Sequence, residues 1–199
     1  MLVRIISAAV GIVLLLLFVI AGGLPLEIAA LIISLIGIYE LYKAVSGEIK
    51  LVHIAGFLLD IAYFILVVIT DNKEYFNLAF LFAVLLIMTV LVIFHKTNTI
   101  HDGAITLLGF FYVGVMLSLI CRIRDFSIVF AWLPFIFAFV SDTGAYFTGS
   151  LIGKHKLTPQ LSPHKSVEGT VGGIIATAVF SALYAFVCHK YYGLAPEYI

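Results

Sequence analysis

The stretch from Ser141 to Gly173 concentrates the side chains that could do chemistry in an otherwise apolar chain. Lysines beside glycines and hydroxyl groups suit a phosphate, because they supply positive charge and let backbone N–H groups approach closely. A carboxylate among them suits a divalent metal that bridges phosphates. The charged residues are Asp142, Glu168, Lys154, Lys156 and Lys165. They predict a phosphate site with a metal; the alternative is a polar cytoplasmic loop whose lysines only set the topology.

The small residues of this stretch also have a structural interpretation. Gly149 and Gly153 are four apart, as are Gly169 and Gly173, and such pairs let membrane helices approach closely. Pro159 and Pro163 exclude a continuous helix, so we expect a turn from Ser162-Pro163 up to Gly169. The helix that follows would offer free N–H groups to an anion. His155 and His164 lack the spacing of metal ligands and are interpreted as solvated loop residues.

The composition indicates a membrane protein. The chain has 199 residues, of which 63% are hydrophobic and 11% are charged, whereas soluble domains carry about 25% charged residues. The 11 basic and 11 acidic residues balance, which argues against a nucleic-acid partner because that requires a basic face. Cys121 and Cys188 lie in apolar segments, which favours buried thiols over a disulfide.

Continuous apolar runs of about 20 residues predict an all-α polytopic protein with about seven transmembrane helices. We divide it into 1–125, with about five spans, and 126–199, with two spans and the polar loop. The predicted spans cover 5–24, 26–45, 51–70, 75–94, 103–121, a sixth from 126 to Ser141-Asp142, and 169–192. A cytoplasmic N-terminus places more lysines and arginines inside than outside, with a turn at 71–74 outside. The polar loop is then cytoplasmic, and the cell inner membrane is the expected location.

Three acids fall within or near these spans, where a bare carboxylate is costly. Asp142 is expected at the inner end of the sixth span, in a functional role. Asp60, near the middle of the third span, is either a helix–helix contact or a cavity-lining group. Glu40 is interpreted as an interfacial residue beside Lys43.

The polar stretch resembles the phosphatidate cytidylyltransferase (CDP-diacylglycerol synthase) family. The resemblance is close across 141–173 and limited to hydrophobic spans elsewhere. The matching pieces are Ser-Asp-x-x-Ala-Tyr-Phe-x-Gly from Ser141, Gly-Lys-His-Lys-Leu-x-Pro from Gly153, Ser-Pro-x-Lys-x-x-Glu-Gly from Ser162, and Gly-Gly at Gly172. The resemblance implies that CTP and phosphatidic acid form CDP-diacylglycerol and pyrophosphate with Mg²⁺. CTP, phosphatidic acid and membrane lipids are the partners implied, and a homodimer is left open.

The same resemblance implies roles for individual residues. Asp142 would hold the metal and act in catalysis together with Lys165. Glu168 would orient Lys165 or bind the water shell of the metal. Contacts to triphosphate or lipid phosphate would come from Ser141, Lys154, Lys156, Ser162, Glu168 and Gly169.

Two departures from the family pattern affect these expectations. Position 150 is serine where the family often has a basic residue, so one phosphate contact is absent. The family's C-terminal motif, whose aspartates share the metal site, has no match in this chain. We therefore expect the 199-residue chain to be the first part of a longer enzyme, with little activity by itself.

Other functions remain open at this stage. A related lipid kinase would also use a nucleotide but would release a nucleoside diphosphate. A transporter could use Asp60, Glu40 and Asp142 along a path. A non-catalytic membrane partner would keep the fold without binding CTP.

Overall fold

The computed structural model describes residues 2–70, 75–160 and 162–192, and most of these are helical. The predicted turn at 71–74 and residues 193–199 lie outside the described residues. In chain order the elements are α1 (Leu2–Ala21), α2 (Gly23–Ser46), α3 (Leu51–Tyr63), the π-helix π1 (Phe64–Ile69), α4 (Tyr75–Ile93), α5 (Ile100–Leu108), the π-helix π2 (Gly109–Val115), α6 (Met116–Phe126), α7 (Ile128–Ala131), α8 (Leu133–Ile152), β1 (Lys156–Thr158), β2 (Ser162–Ser166) and α9 (Val167–Tyr192).

The predicted class, an all-α multi-pass membrane protein, is confirmed. Within the described residues, the helical stretches long and apolar enough to cross a membrane are Gly23–Ser46, Leu51–Ile69, Ile100–Phe126, Ile128–Ile152 and Val167–Lys190. Ala9–Ala21 and Leu78–Ile93 are shorter apolar helices. The count of seven crossings therefore stays a prediction.

The sixth helical stretch extends further than predicted. The sequence analysis placed Asp142 at its inner end, but α8 continues through the polar residues to Ile152. Asp142 consequently lies about 15 Å before the end of the helix, at 1.5 Å per residue. The small residues that looked like a helix end are instead compatible with helix because α9 packs closely against them.

The loop between α8 and α9 contains an antiparallel hairpin that the sequence analysis did not predict. Lys156 pairs with Ser166, and Thr158 pairs with Ser162, with an irregularity between them. The predicted turn at Ser162-Pro163 is therefore wrong, because these residues belong to β2. A proline is tolerated there because a two-stranded sheet consists only of edge strands. Helix α9 begins at Val167, before the predicted start at Gly169.

Contacts divide the chain into unit 1, Met1–Ile128, and unit 2, Val129–Ile199. The core of unit 1 is built around Tyr42, which is fully buried and stacks on His53 at 4.5 Å between ring centroids. The Tyr42 hydroxyl donates to the Thr106 carbonyl at 3.1 Å. Gly56 and Gly109 lie against this ring, where a side chain would collide with it. Unit 1 is thus held together by a large amphipathic side chain whose polar tip is satisfied.

Charged residues of unit 1 form structural contacts. Asp60 is fully buried, and its Oδ2 accepts a 2.7 Å hydrogen bond from the Ser34 hydroxyl. This contact joins α3 to α2, which favours the helix–helix interpretation of Asp60. Asp102 is also buried; it accepts from Lys50 Nζ at 2.9 Å and from the Thr99 N–H at 2.8 Å. These carboxylates therefore connect or cap helices.

The junction of α1 and α2 depends on an arginine from α6. Gly22 has a φ of 64°, which a residue with a side chain rarely adopts. The Arg124 guanidinium lies against Gly22 and donates to the carbonyls of Val19 at 2.7 Å and Ile20 at 3.0 Å. It thereby satisfies carbonyls that the end of α1 leaves without helical partners. Cys121 and Cys188 are both free and buried.

Candidate nucleotide-binding hairpin

Helices α8 and α9 pack through a face of glycines. A Cβ on Gly173 would lie 2.8 Å from the Ser141 carbonyl oxygen, and one on Gly169 would lie 2.8 Å from the Ala145 carbonyl oxygen. A Cβ on Gly144 would lie 2.6 Å from Ala176 Cβ. Real Cβ atoms are not found this close to other atoms, so these positions require glycine. The interpretation of the glycines as helix-packing residues therefore applies to this part of the helix pair, which we call the α8–α9 hairpin.

Ser166 fixes the start of α9 and was missed by the sequence analysis. It is buried, and its Oγ accepts a 3.1 Å hydrogen bond from the Gly169 N–H. Gly149 and Gly153 both lie against this hydroxyl. The predicted use of Gly169 as a phosphate donor is contradicted, because its N–H is already bonded and the residue is buried. A serine three residues before a helical N–H is a capping signal, which could have identified Ser166.

Glu168 closes the loop onto the first turn of α9. Its carboxylate accepts hydrogen bonds from the N–H groups of Lys154 at 3.1 Å and His155 at 3.2 Å. The His155 ring nitrogen Nδ1 lies 2.6 Å from Glu168 Oε1. The expectation that Glu168 orients Lys165 is therefore not met, because among the described residues its carboxylate contacts only 154–155. His155, expected to be only solvated, is exposed but holds this contact.

Three lysines lie in the loop between α8 and α9 and have no carboxylate partner among the described residues. Lys154, Lys156 and Lys165 are exposed, and none forms an ion pair within the part of the chain that the structure describes. Lys156 in β1 pairs with Ser166 in β2, the residue after Lys165. Lys156 and Lys165 therefore lie on adjacent strands, and these strands are about 5 Å apart. Ser162 is half-buried at the far end of β2. Since Glu168 is engaged elsewhere, the loop presents an excess of positive charge.

Asp142 and Ser141 form a second group on the same hairpin. Ser141 is half-buried against Gly173, whereas Asp142 is exposed and has no hydrogen-bond or ion-pair partner among the described residues. On α9, Gly173 lies seven positions after Ser166, which is the neighbour of Lys165. Since Asp142 adjoins Ser141, the residue opposite Gly173, Asp142 is about 10–15 Å from Lys165 along the α8–α9 hairpin. The predicted site residues therefore form two groups at different positions along the α8–α9 hairpin. An extended lysine side chain and a chain of phosphates could together span the distance between the two groups.

A divalent metal beside the phosphates, as the sequence predicts, would need oxygen ligands from this hairpin. Among the described residues, no group of three or more histidine, cysteine, aspartate or glutamate side chains is placed to hold an ion. Mg²⁺, however, is commonly bound by one or two carboxylates together with phosphates and water. The unpaired carboxylate of Asp142 fits such a metal as a single protein ligand, with the nucleotide supplying others.

The arrangement suits a polyanion at the closed end of the hairpin and a metal–phosphate group beside Asp142. Unpaired ammonium groups neutralise phosphate charge, and Lys is a common phosphate ligand in proteins. Aliphatic and aromatic residues cover the outer faces of both helices, as expected for contact with hydrocarbon. The hairpin thus combines a lipid-facing surface with an anion-binding end.

Comparison with known proteins identifies the family of the chain. Residues 2–196 match the sequence model of the Cytidylyltransferase family. The phosphatidate cytidylyltransferase of Bacillus subtilis is 28% identical over 194 residues, which is 92% of this chain and 71% of the relative. The enzyme of the same name from Staphylococcus saprophyticus is 30% identical over 181 residues, 89% of this chain and 69% of the relative. The one from Staphylococcus epidermidis is 29% identical over 179 residues, 88% and 68% respectively. The chain therefore belongs to the Cytidylyltransferase family.

Proposed function

We propose that the protein takes part in the transfer of a cytidylyl group from CTP to phosphatidic acid, giving CDP-diacylglycerol and pyrophosphate. The observation that carries this proposal is the set of three unpaired lysines at the closed end of the α8–α9 hairpin. The relatives named above support the choice of nucleotide and lipid. All of the proposed roles fall within the predicted catalytic-motif region 126–199.

The reaction requires charge neutralisation and positioning more than a strong base. An oxygen of the lipid phosphate attacks the α-phosphorus of CTP, and the bond from that phosphorus to the bridging oxygen breaks, so that pyrophosphate leaves. The attacking phosphate is already an anion, so both reactants repel one another until cations are placed between them. Lys154, Lys156 and Lys165 would contact the triphosphate and the lipid phosphate, with Ser162 donating a hydroxyl hydrogen bond.

The remaining residues hold these groups in place. Glu168 fixes the start of the loop through the Lys154 and His155 N–H groups, so we assign it a positioning role. Ser141 lies beside Asp142 and can donate its hydroxyl to a phosphate oxygen. Asp142 would hold Mg²⁺, which when bound neutralises phosphate charge and aligns the triphosphate.

We place the hairpin loop on the cytoplasmic side of the cell inner membrane. The lysines of the loop support this orientation, because positively charged loops of membrane proteins tend to remain in the cytoplasm. CTP is also found on that side. A homodimer would be compatible with this orientation.

The fate of labelled CTP tests the reaction. The chain in phosphatidic-acid nanodiscs receives CTP labelled at either the α- or the γ-phosphorus, and lipid is extracted. We expect lipid label from α-labelled CTP only, and CTP binding that ATP does not displace at equal concentration. Lipid label from γ-labelled CTP would indicate a lipid kinase and contradict the proposal, as would absence of specific CTP binding. The same assay tests the sequence-based expectation of low activity, which robust turnover would contradict.

A further inference from the structure

Unit 1 contains an apolar groove that the proposed chemistry does not use. It runs between α4 and the helix formed by α3 and π1, and its volume is about 500 Å³. Leu59 and Leu66 lie on one wall, Leu78 and Leu85 on the other, and Phe110 also lines the groove. Among the described residues, the lining side chains are all aliphatic or aromatic, so water has few partners there.

The groove has the dimensions of one lipid chain. Its walls run from Leu59 to Val67 and from Tyr75 to Leu85, which is about 12–15 Å of helix. The hydrocarbon layer of a bilayer is about 30 Å thick, so this length is about that of one leaflet. Ala62 and Ala79 are among the lining residues, and their single methyl groups leave the space between the helices unfilled. In a membrane, an acyl chain is the apolar group available to fill it.

A guanidinium nitrogen without an acceptor among the described residues lies near one end of this groove. The Arg122 guanidinium carbon lies 5.1 Å from the centre of the Phe76 ring. Phe76 follows Tyr75, which starts α4 and lines the groove. Arg122 Nη2 is buried and donates no hydrogen bond among the described residues. A buried donor on a charged group is costly when unsatisfied, and a phosphate oxygen is one of the acceptors that guanidinium groups bind strongly.

We propose that unit 1 binds an anionic phospholipid, with one acyl chain in the groove and the phosphate accepting from Arg122 Nη2. Net negative charge on the head group matters because Arg122 forms no ion pair within the part of the chain that the structure describes, where its guanidinium lies against the Phe76 ring. A choline or ethanolamine head group would add a second cation near the guanidinium. The site lies entirely within unit 1 and does not depend on the proposed transfer reaction.

Two measurements on the full chain test the site directly. The chain is incorporated into nanodiscs that contain phosphatidylglycerol with a photoactivatable acyl chain, irradiated and digested. Labelled peptides are expected from 59–67 and 75–85. In parallel, native mass spectrometry of the chain with equal amounts of phosphatidylglycerol and phosphatidylcholine is expected to show preferential retention of phosphatidylglycerol. Labelling distributed evenly over all apolar helices, or equal retention of both lipids, would overturn the proposal.

Variants separate the two parts of the site. Arg122→Gln should reduce the preference for phosphatidylglycerol by about tenfold to a hundredfold, because it removes a charged hydrogen bond. Lys43→Gln is the matched control, since Lys43 also lies over an aromatic ring, that of Tyr39 at 5.7 Å. Ala79→Phe should fill the groove and abolish acyl-chain labelling of 75–85. Ala178→Phe, at an exposed position of α9, should not.

Folding is checked by circular dichroism and gel filtration for every variant. If Ala79→Phe does not fold, the unaltered protein is labelled instead with lipids whose acyl chains increase in length. Because the groove is about as deep as one leaflet, the labelled position in the protein should stay the same as the acyl chain lengthens. Lipid preference and labelling that are unchanged in folded Arg122→Gln and Ala79→Phe proteins would refute both halves of the proposal.

Discussion

Charged residues serve different purposes in unit 1 and in the α8–α9 hairpin. In unit 1, Asp60 and Asp102 are buried and accept hydrogen bonds from Ser34, Lys50 and Thr99. In the hairpin, Asp142 and the three loop lysines are exposed and have no ion-pair partner among the described residues. All of these residues belong to an apolar chain in which each charge is costly. Unit 1 thus uses its carboxylates to join or cap helices, whereas the hairpin leaves its charges without ion-pair partners among the described residues, as the proposed phosphate site requires.

The largest effect is expected for Asp142→Asn, which removes the unpaired carboxylate but keeps the size of the side chain. Cytidylyl transfer should fall by about two to three orders of magnitude, because charge stabilisation around the transferring phosphorus is lost. Thermal stability should not change, since Asp142 contacts no described partner. Lipid labelling from α-labelled CTP and thermal unfolding in detergent measure the two quantities.

The control is Asp60→Asn, whose amide oxygen can still accept from Ser34. It should leave transfer unchanged, and an equal loss of transfer in the two variants would remove the distinction between the regions.

A smaller loss is expected for Lys165→Gln, which neutralises one loop lysine. CTP affinity should decrease about tenfold to a hundredfold, because one charged hydrogen bond to phosphate is removed. The loss should diminish at high salt, where exposed charges are screened. Equilibrium binding of labelled CTP at two salt concentrations measures this, with Lys96→Gln in unit 1 as the exposed-lysine control. Equal affinity of the two variants would argue against the loop as the phosphate site.

Gly173→Ala tests the packing of the hairpin and not its charges. The added methyl group would lie 2.8 Å from the Ser141 carbonyl oxygen, so overpacking should cost about 1–3 kcal/mol of unfolding free energy. CTP affinity should decrease with it, because Ser141 adjoins Asp142. Gly11→Ala is the matched control: a Cβ there meets no atom within 4 Å. Unfolding of both proteins in detergent, followed by circular dichroism, should show destabilisation only at position 173.

The smallest effect on CTP binding is expected for Lys50→Met in unit 1. Asp102 would lose the Lys50 ammonium but keep its hydrogen bonds from Thr99, so the free energy of unfolding should decrease by about 1.5–3 kcal/mol. CTP affinity per folded molecule should be unchanged. A loss of CTP affinity without loss of stability would show that unit 1 charges also serve the ligand.

The sequence predicted the helical class and singled out the stretch from Ser141 to Gly173 as the candidate site, because apolar runs and unusual polar clusters are both local patterns. It could not predict where α8 ends, since Ser141, Asp142 and Gly144 resemble a helix terminus until α9 packs against them. It also missed the β1–β2 hairpin, whose lysines and prolines do not alternate in hydrophobicity. The contact partners of individual side chains were equally hard to predict. Glu168 was expected near Lys165, but the register of the β1–β2 hairpin brings it to the backbone N–H groups of 154–155.

The contacts of Asp60 illustrate the same limit within unit 1. From the sequence, a carboxylate in an apolar span is equally compatible with a cavity and with a helix contact. Only the three-dimensional arrangement brings Ser34 to 2.7 Å, which favours the helix contact. The function of a single charge in a membrane helix therefore depends on its neighbours in space, whereas the phosphate-binding role predicted for the loop lysines rests on their spacing and stays a prediction.

The most direct test of the account is CTP binding by a chain that lacks the three loop charges. Lys154, Lys156 and Lys165 are replaced together by glutamine, and Lys43 and Lys96 are replaced by glutamine in a control protein. We predict that the triple variant binds CTP at least a hundredfold more weakly than the unaltered chain, while the control binds it normally. Equal CTP affinity in the triple variant and the unaltered chain would show that the hairpin loop does not hold the triphosphate.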